Sequence, residues 1–170
     1  MNFDWRNYDP GTMDYIEKWL DDSAVNSTGL DEGFHDFYAY WANEEDMAVG
    51  ENFWCKVVFE QDIPFAVVAF CQNEDRILIM EIVVKPEHRG KGKGTVLLKE
   101  LLNEETIIGK AIHKSEAVIF PDNIASKRAF ENAGFIHHHT HKDGTAMYYV
   151  YNDGSNKRQP PVTGNSRSTF

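Results

Sequence analysis

The stretch that decides the fold is VKPEHRGKGKG at residues 84–94. It follows RILIMEIVV at residues 76–84, an almost entirely apolar run that is typical of a strand covered on both faces. Alternating glycines let backbone N–H groups approach a ligand closely and tolerate positive φ. A helix that begins directly after them adds unpaired N–H groups and the positive end of its dipole. Together with the basic side chains between the glycines, these features predict a cradle for a pyrophosphate.

Two common phosphate-binding motifs do not fit this stretch. A nucleoside triphosphatase loop needs a lysine before its Ser or Thr, whereas Thr95 follows Gly94 directly. A dinucleotide-binding fold places G-x-G-x-x-G after the first strand of its βαβ unit, and here the glycines are spaced differently and lie deep in the chain. A tight strand-to-helix turn without a ligand remains an alternative, but it does not need three alternating glycines.

A second motif lies about 30 residues further on. Asn123 is a candidate N-cap for a helix that Gly134 can end, in the pattern Asn-x-x-Ser-x-x-x-Phe-x-x-x-Gly-Phe. This block and Arg89-x-x-Gly92-x-Gly94 together resemble the GNAT N-acetyltransferase superfamily, with the two motifs in the same order and at a similar separation. The resemblance covers about residues 53–151, while residues 1–52 match only in general pattern.

The rest of the sequence predicts a single-domain α/β fold with a mixed β-sheet. Two hairpins are expected, at residues 53–70 and 135–151, and helices are expected at 33–41, 95–102 and 123–134. A first strand at 3–8 and a helical pattern from Met13 to Leu20 precede them. The domain is assigned to residues 1–152, with residues 153–170 as a flexible C-terminal tail. The resemblance implies a GNAT-like splayed sheet, in which the strands at 80–84 and 117–120 part to admit a pantetheine arm.

The resemblance also implies that acetyl-CoA is the cofactor. Backbone groups near Ile82 and Val84 would bind the pantetheine arm and the thioester carbonyl, and the glycine loop would bind the pyrophosphate. The residues expected to contact the cofactor are Ile82, Val84, Arg89, Gly90, Lys91, Gly92, Lys93, Gly94, Thr95, Asn123, Ser126 and Phe130.

The implied reaction is direct attack of a neutral primary amine on the thioester, with backbone groups stabilising the oxyanion. Glu81 is the candidate base, because it is the only charged residue within 77–84 and a buried, unpaired carboxylate is costly. The alternative is a glutamate that is partly solvated or paired with a lysine.

The general acid that protonates the CoA thiolate cannot be Phe130, which stands where many family members place a tyrosine. Either water protonates the thiolate, or Tyr148, Tyr149 or Tyr151 does, and Tyr148 is taken as the candidate. The missing hydroxyl also motivates an alternative function, a non-catalytic acyl-CoA-binding sensor.

The net charge of the protein indicates which classes of binding partner it favours. With 17 basic and 27 acidic residues the net charge is −10, which disfavours nucleic acid. Acidic residues gather at 21–32 and 44–46, where they could attract a cationic small-molecule or peptide amine or serve only solubility. The acceptor is not identified by the sequence, nor is the oligomeric state, and a homodimer is allowed.

Three further features complete the expectations. His137, His139 and His141 would share one strand face, but no matching ligand set accompanies them, so no metal site is predicted. Cys55 and Cys71 lie in apolar segments and are predicted to be buried thiols. Neither a signal peptide nor a membrane span is recognisable, which predicts a cytoplasmic protein without membrane contact.

Overall fold

The structure is a computed structural model. It describes residues 3–21, 28, 30–43, 51–73, 76–103 and 112–152. The predicted tail at 153–170 and the acidic residues 44–46 therefore lie outside the described residues, as does Asp22 within the first acidic segment.

Seven strands of the described chain form one mixed sheet. Their bounds are β1 Asp4–Asn7, β2 Glu51–Glu60, β3 Ile63–Asn73, β4 Arg76–Val84, β5 Lys114–Ile119, β6 Ile136–Thr140 and β7 Met147–Asn152. Their order across the sheet is β1-β2-β3-β4-β5-β7-β6. The β4–β5 pair is parallel and the other pairs among these strands are antiparallel. This architecture confirms the predicted mixed α/β fold.

Helices connect and cover the strands. The described α-helices are α1 Phe34–Ala42, α2 Lys93–Asn103 and α3 Ile124–Ala133, and short 3-10 helices span Asp14–Trp19 and Pro86–His88. The aromatic helix predicted at 33–41 and the helices predicted around both motifs are confirmed. The helical pattern from Met13 to Leu20 forms a 3-10 helix instead of an α-helix.

Local chemistry explains the first hairpin. Gln61 and Asp62 have φ of 51° and 62°, and they form the two-residue turn between β2 and β3. Two consecutive positive φ values are what the right-handed twist of a tight hairpin requires. Both predicted hairpins are confirmed, and β2 and β3 extend a few residues beyond the expected ends.

The two faces of the sheet bury separate apolar clusters. On the first, which we call the α2/α3 face, Leu97, Leu101 and Phe130 pack against inward-facing strand residues such as Ile79. On the second, which we call the α1 face, the 3-10 helix and α1 contribute Ile16, Trp19 and Phe34 to a cluster with β2 and β3. Successive side chains of a strand point to opposite faces, so each strand supplies both clusters.

Coverage of β4 differs from the prediction. Val83 is the only residue of β4 that belongs to the buried cluster on the α1 face, and the side chain of Leu78 is 41% exposed. The expectation that β4 is covered on both faces is therefore wrong toward its beginning. Burial of the thiols of Cys55 and Cys71 is confirmed. Among the described helices, none is long and apolar enough to span a bilayer.

Candidate active site

The sheet opens between β4 and β5. Their pairing runs from Arg76 opposite Lys114 to Ile79 opposite Ala117, and it stops there. On the other side of β4 the register with β3 shifts at Met80, which is bulged between the Glu81 and Ile79 pairs. A bulge bends its strand and increases the local twist. The second half of β4 therefore turns away from β5, which is the splay that the resemblance implies.

The glycine-rich loop lies at the end of this splayed strand. After the 3-10 helix Pro86–His88, Gly90 and Gly92 have φ of 69° and 75°, and α2 begins at Lys93. A side chain at positive φ is strained, so glycine is the residue that permits this path. The N–H of Val96 is already bonded to the carbonyl of Gly92, 3.2 Å away, which starts the first turn of α2.

A cavity of about 430 Å³ runs from this loop to the splayed strands. That volume is within the usual range for small-molecule sites, roughly 300–1,000 Å³. Its lining includes Thr28, Ile82, Val83, Val84, His88, Arg89, Gly90, Gly92, Lys93, Gly94, Thr95, Leu98, Asn123, Ala125, Ser126, Arg128, Ala129, Phe130 and Asn132. The structure thus brings together every residue predicted to contact the cofactor except Lys91, which is exposed.

Two of the predicted cations are already bound to protein groups. Arg89 donates from Nε to the carbonyl of Val84 at 2.8 Å and from Nη2 to that of Trp19 at 2.6 Å, and its Nη1 lies 2.6 Å from Asp21 Oδ2. Lys93 Nζ lies 2.5 Å from Glu60 Oε1 and over the rings of Phe3 and Phe65. These side chains line the cavity, but their charges are compensated within the protein.

The second motif forms the opposite wall. Asn123 Oδ1 accepts a hydrogen bond from the N–H of Ser126 at 3.0 Å, and Gly134 ends α3 in the left-handed conformation with φ of 103°. These observations confirm the predicted N-cap and helix end. Phe130 is buried against Phe135, with ring centroids 4.8 Å apart, and it presents no proton donor to the cavity.

Sequence reasoning missed Arg128. It lies on α3 among the lining residues, is exposed, and has no acidic partner among the described residues. It lies two residues from both Ser126 and Phe130, so the assignment of those two residues to the cavity gave no signal for it. Residues two apart on a helix do not face each other, and Arg128 shares a face instead with Ala125 and Asn132, which also line the cavity.

Glu81 lies on the α1 face, opposite the cavity. Its partner across the ladder is Ala69, which belongs to the cluster on that face. Its Oε2 atom is buried and has no hydrogen-bond partner among the described residues. Burial raises the pKa of the Glu81 carboxyl well above its ordinary value. The cavity lining in the described part of the chain does not include Glu81.

Tyr148 lies on the same face as Glu81. It pairs with Val118 across the β5–β7 ladder, while its neighbour Tyr149 points into the α2/α3 core. Its ring stacks on His139 with centroids 4.3 Å apart. Among the described residues Tyr148 does not line the cavity, and Tyr149 is fully buried with its hydroxyl donating to Glu131 at 3.2 Å.

The histidines of β6 contact one another and a neighbouring threonine. His138 and His139 contact each other through their Nδ1 atoms at 2.8 Å, and His137 contacts Thr140. No group of three or more metal-ligating side chains occurs within the described ranges.

Comparison with known proteins identifies the class. The acetyltransferase (GNAT) family model matches residues 13–135. The chain belongs to this family, which confirms the predicted fold, the acyltransferase activity and acetyl-CoA as its donor. No curated protein sequence matches the chain.

Solved structures of acetyltransferases share the fold at low sequence identity. AAC(6')-Ib, an aminoglycoside acetyltransferase, solved with paromomycin and acetyl-CoA, has a TM-score of 0.69 at 17% identity, covering 94% of this chain and 99% of its own. A spermidine N-acetyltransferase from Vibrio cholerae, with CoA and spermine, has a TM-score of 0.63 at 17% identity, covering 88% and 95%. The N-acetyltransferase PseH from Campylobacter jejuni, with acetyl-CoA, has a TM-score of 0.62 at 14% identity, covering 89% and 99%.

Proposed function

We propose that this protein transfers the acetyl group of acetyl-CoA to a primary amine of a cationic acceptor. The observation that carries the proposal is the cavity that joins the glycine loop to the gap between β4 and β5. A pyrophosphate at the loop and a pantetheine arm along the splayed strand would place a thioester at the edge of the sheet.

The backbone supplies the anion-binding groups in this proposal. Gly90 and Gly92 leave the N–H groups of the loop accessible, and the start of α2 adds its dipole. Arg128 then offers a cation that no described acidic residue neutralises. Phe130 would pack against the sulfur end of the arm, because it is buried and lines the cavity.

Glu81 is the proposed base. The acceptor would approach from the α1 face, where the carboxylate lies, while the cofactor occupies the α2/α3 face. Its raised pKa suits a group that takes a proton from an ammonium near neutral pH, directly or through one water. The amine nitrogen then forms a bond to the thioester carbon, and the carbon–sulfur bond breaks to release CoA thiolate. Tyr148 is the proposed proton donor to that thiolate, since it shares this face and its hydroxyl can donate.

A cationic acceptor is supported by the net charge of −10 and by exposed Asp31 and Glu32 just before α1. Structural neighbours from the same fold were solved with spermine and with aminoglycosides, which are polyamines in the chemical sense. Long-range attraction of this kind speeds association and is screened by salt.

The test measures release of free CoA thiol with acetyl-CoA and a panel of nucleophiles, confirmed by the mass of the acetylated product. Spermidine and kanamycin should be acetylated faster than a neutral amine of similar size. Raising ionic strength should lower the apparent second-order rate for spermidine more than for a monoamine. Absence of turnover with every amine, or equal salt responses, would overturn the acceptor class.

A further inference from the structure

The side chain of Arg89 bonds to two regions that are distant in sequence. One bond holds the carbonyl of Val84, the last residue of β4, five positions earlier. The other two reach Trp19 and Asp21, about 70 residues earlier, at 2.6 Å each. Arginine suits such a bridge because its planar guanidinium presents several donors in a fixed geometry.

The two regions belong to different parts of the site. Val84 lines the cavity, and Arg89 immediately precedes the positive-φ glycines of the loop. Trp19 is 4% exposed and belongs to the cluster on the α1 face, so it anchors the bridge in that cluster. Thr28, seven positions after Asp21 in the sequence, also lines the cavity.

This geometry argues against Arg89 as a phosphate ligand. Its Nη1 would have to leave a carboxylate at 2.6 Å to meet a phosphate, and it would lose a charge-assisted hydrogen bond in doing so. The free-energy cost of binding the cofactor is therefore lower if the guanidinium keeps its bonds to the protein.

We propose that Arg89 is a positioning residue that couples the cofactor loop to the segment 13–21 on the α1 face. The proposal rests on the proposed binding of CoA at Gly90–Gly94. When the loop is ordered by the pyrophosphate, the Arg89 bridge orders segment 13–21 with it. Cofactor binding thereby stabilises the side of the sheet that receives the acceptor.

The experiment is amide hydrogen exchange with and without saturating CoA, followed in peptides covering 13–21 and 85–96. CoA should slow exchange in both peptides of the wild-type protein. In both Asp21→Asn and Arg89→Lys, residues 85–96 should still be protected. The added protection of 13–21 should be lost in Arg89→Lys and reduced in Asp21→Asn, which keeps the bond to the Trp19 carbonyl. The affinity of Asp21→Asn for CoA should fall by less than about fivefold, the upper range for an exposed ion pair.

The matched control is Asp62→Asn. Its pair with Arg6 is also 2.6 Å long but lies at the β2–β3 turn, and this variant should keep the wild-type response in both peptides.

The outcomes separate the two proposals. The bridge proposal is overturned if CoA protects 85–96 but not 13–21 in the wild type. It is also overturned if CoA still protects 13–21 to the wild-type extent in Asp21→Asn and Arg89→Lys. In either case the proposed cofactor site stands. No protection of 85–96 overturns the cofactor site, and the bridge proposal falls with it.

Discussion

The two faces of the sheet use their polar groups differently. On the α2/α3 face the cavity is bordered by backbone N–H groups at positive-φ glycines, and Arg89 and Lys93 are neutralised by Asp21 and Glu60. On the α1 face a buried oxygen of Glu81 has no partner among the described residues. A preorganised backbone suits binding of a constant cofactor, whereas an unsatisfied carboxylate suits proton transfer. Changes on one face should therefore affect binding, and changes on the other should affect turnover.

The largest expected effect concerns Glu81. Glu81→Gln keeps the shape but cannot accept a proton, so kcat should fall by about a hundredfold or more, as is usual for a general base. CoA affinity should stay near the wild-type value, because the side chain faces away from the cavity. Steady-state rates with spermidine and calorimetry with CoA measure the two quantities. Near-normal turnover would make the carboxylate structural.

A substitution of Gly92, on the cofactor face, should change CoA binding, in contrast to the change in turnover expected for Glu81→Gln. Gly92→Val should weaken CoA binding by more than about tenfold, or 1.4 kcal/mol, because a β-branched residue at φ of 75° distorts the loop. Gly144→Val is the matched control: its φ is 76°, and no atom lies within 4 Å of an added Cβ at either glycine. Calorimetry should find a reduced affinity for CoA in Gly92→Val and the wild-type affinity in Gly144→Val. Equal affinities in two folded variants would contradict the loop assignment.

A smaller effect is expected at Arg128. Arg128→Gln should reduce CoA affinity by about two- to fivefold, since an exposed charge–charge contact is worth at most about 1 kcal/mol. The loss of CoA affinity in Arg128→Gln should become smaller as the salt concentration is raised. Lys99→Gln removes an exposed cation from α2 outside the cavity lining and should leave affinity unchanged. Identical losses in both variants would indicate only a general charge effect.

The smallest effect is on stability. Unfolded, Glu81 ionises near its ordinary pKa of 4.5, whereas burial keeps it protonated to higher pH in the folded state. At pH values between the unfolded-state and the folded-state pKa of Glu81, folding therefore takes up a proton. Wild-type stability consequently falls as pH rises from about 4.5 toward the folded-state pKa. The free energy of unfolding of Glu81→Gln, relative to wild type, should increase over the same range.

Urea denaturation across pH measures this difference. Glu87→Gln is the control, because the pKa of Glu87 is lowered by Lys85 and its contribution is lost as pH falls. A pH-independent difference for Glu81→Gln would show that the folded-state pKa is not raised.

The sequence predicted the cofactor side in more detail than the other. Positive φ at Gly90 and Gly92, the Asn123 cap and the Gly134 helix end follow from local residue chemistry, which a sequence displays directly. The partners of Arg89 and Lys93 lie about 70 and 33 residues away, so their neutralisation depends on tertiary packing. The bulge at Met80 and the location of Arg128 on the cavity wall likewise depend on how strands and helices meet. Glu81 was recognisable as a charge in an apolar strand, but the face it occupies follows from that bulge.

The most direct test of how the site is divided between the two faces is a crystal structure with a conjugate in which spermidine is joined to the sulfur of CoA. The pyrophosphate of the conjugate should lie at the N–H groups of residues 90–94, and its pantetheine arm should lie between β4 and β5. The polyamine should then emerge on the α1 face beside Glu81. A polyamine that leaves on the α2/α3 face, away from Glu81, would contradict the division of the site between the two faces.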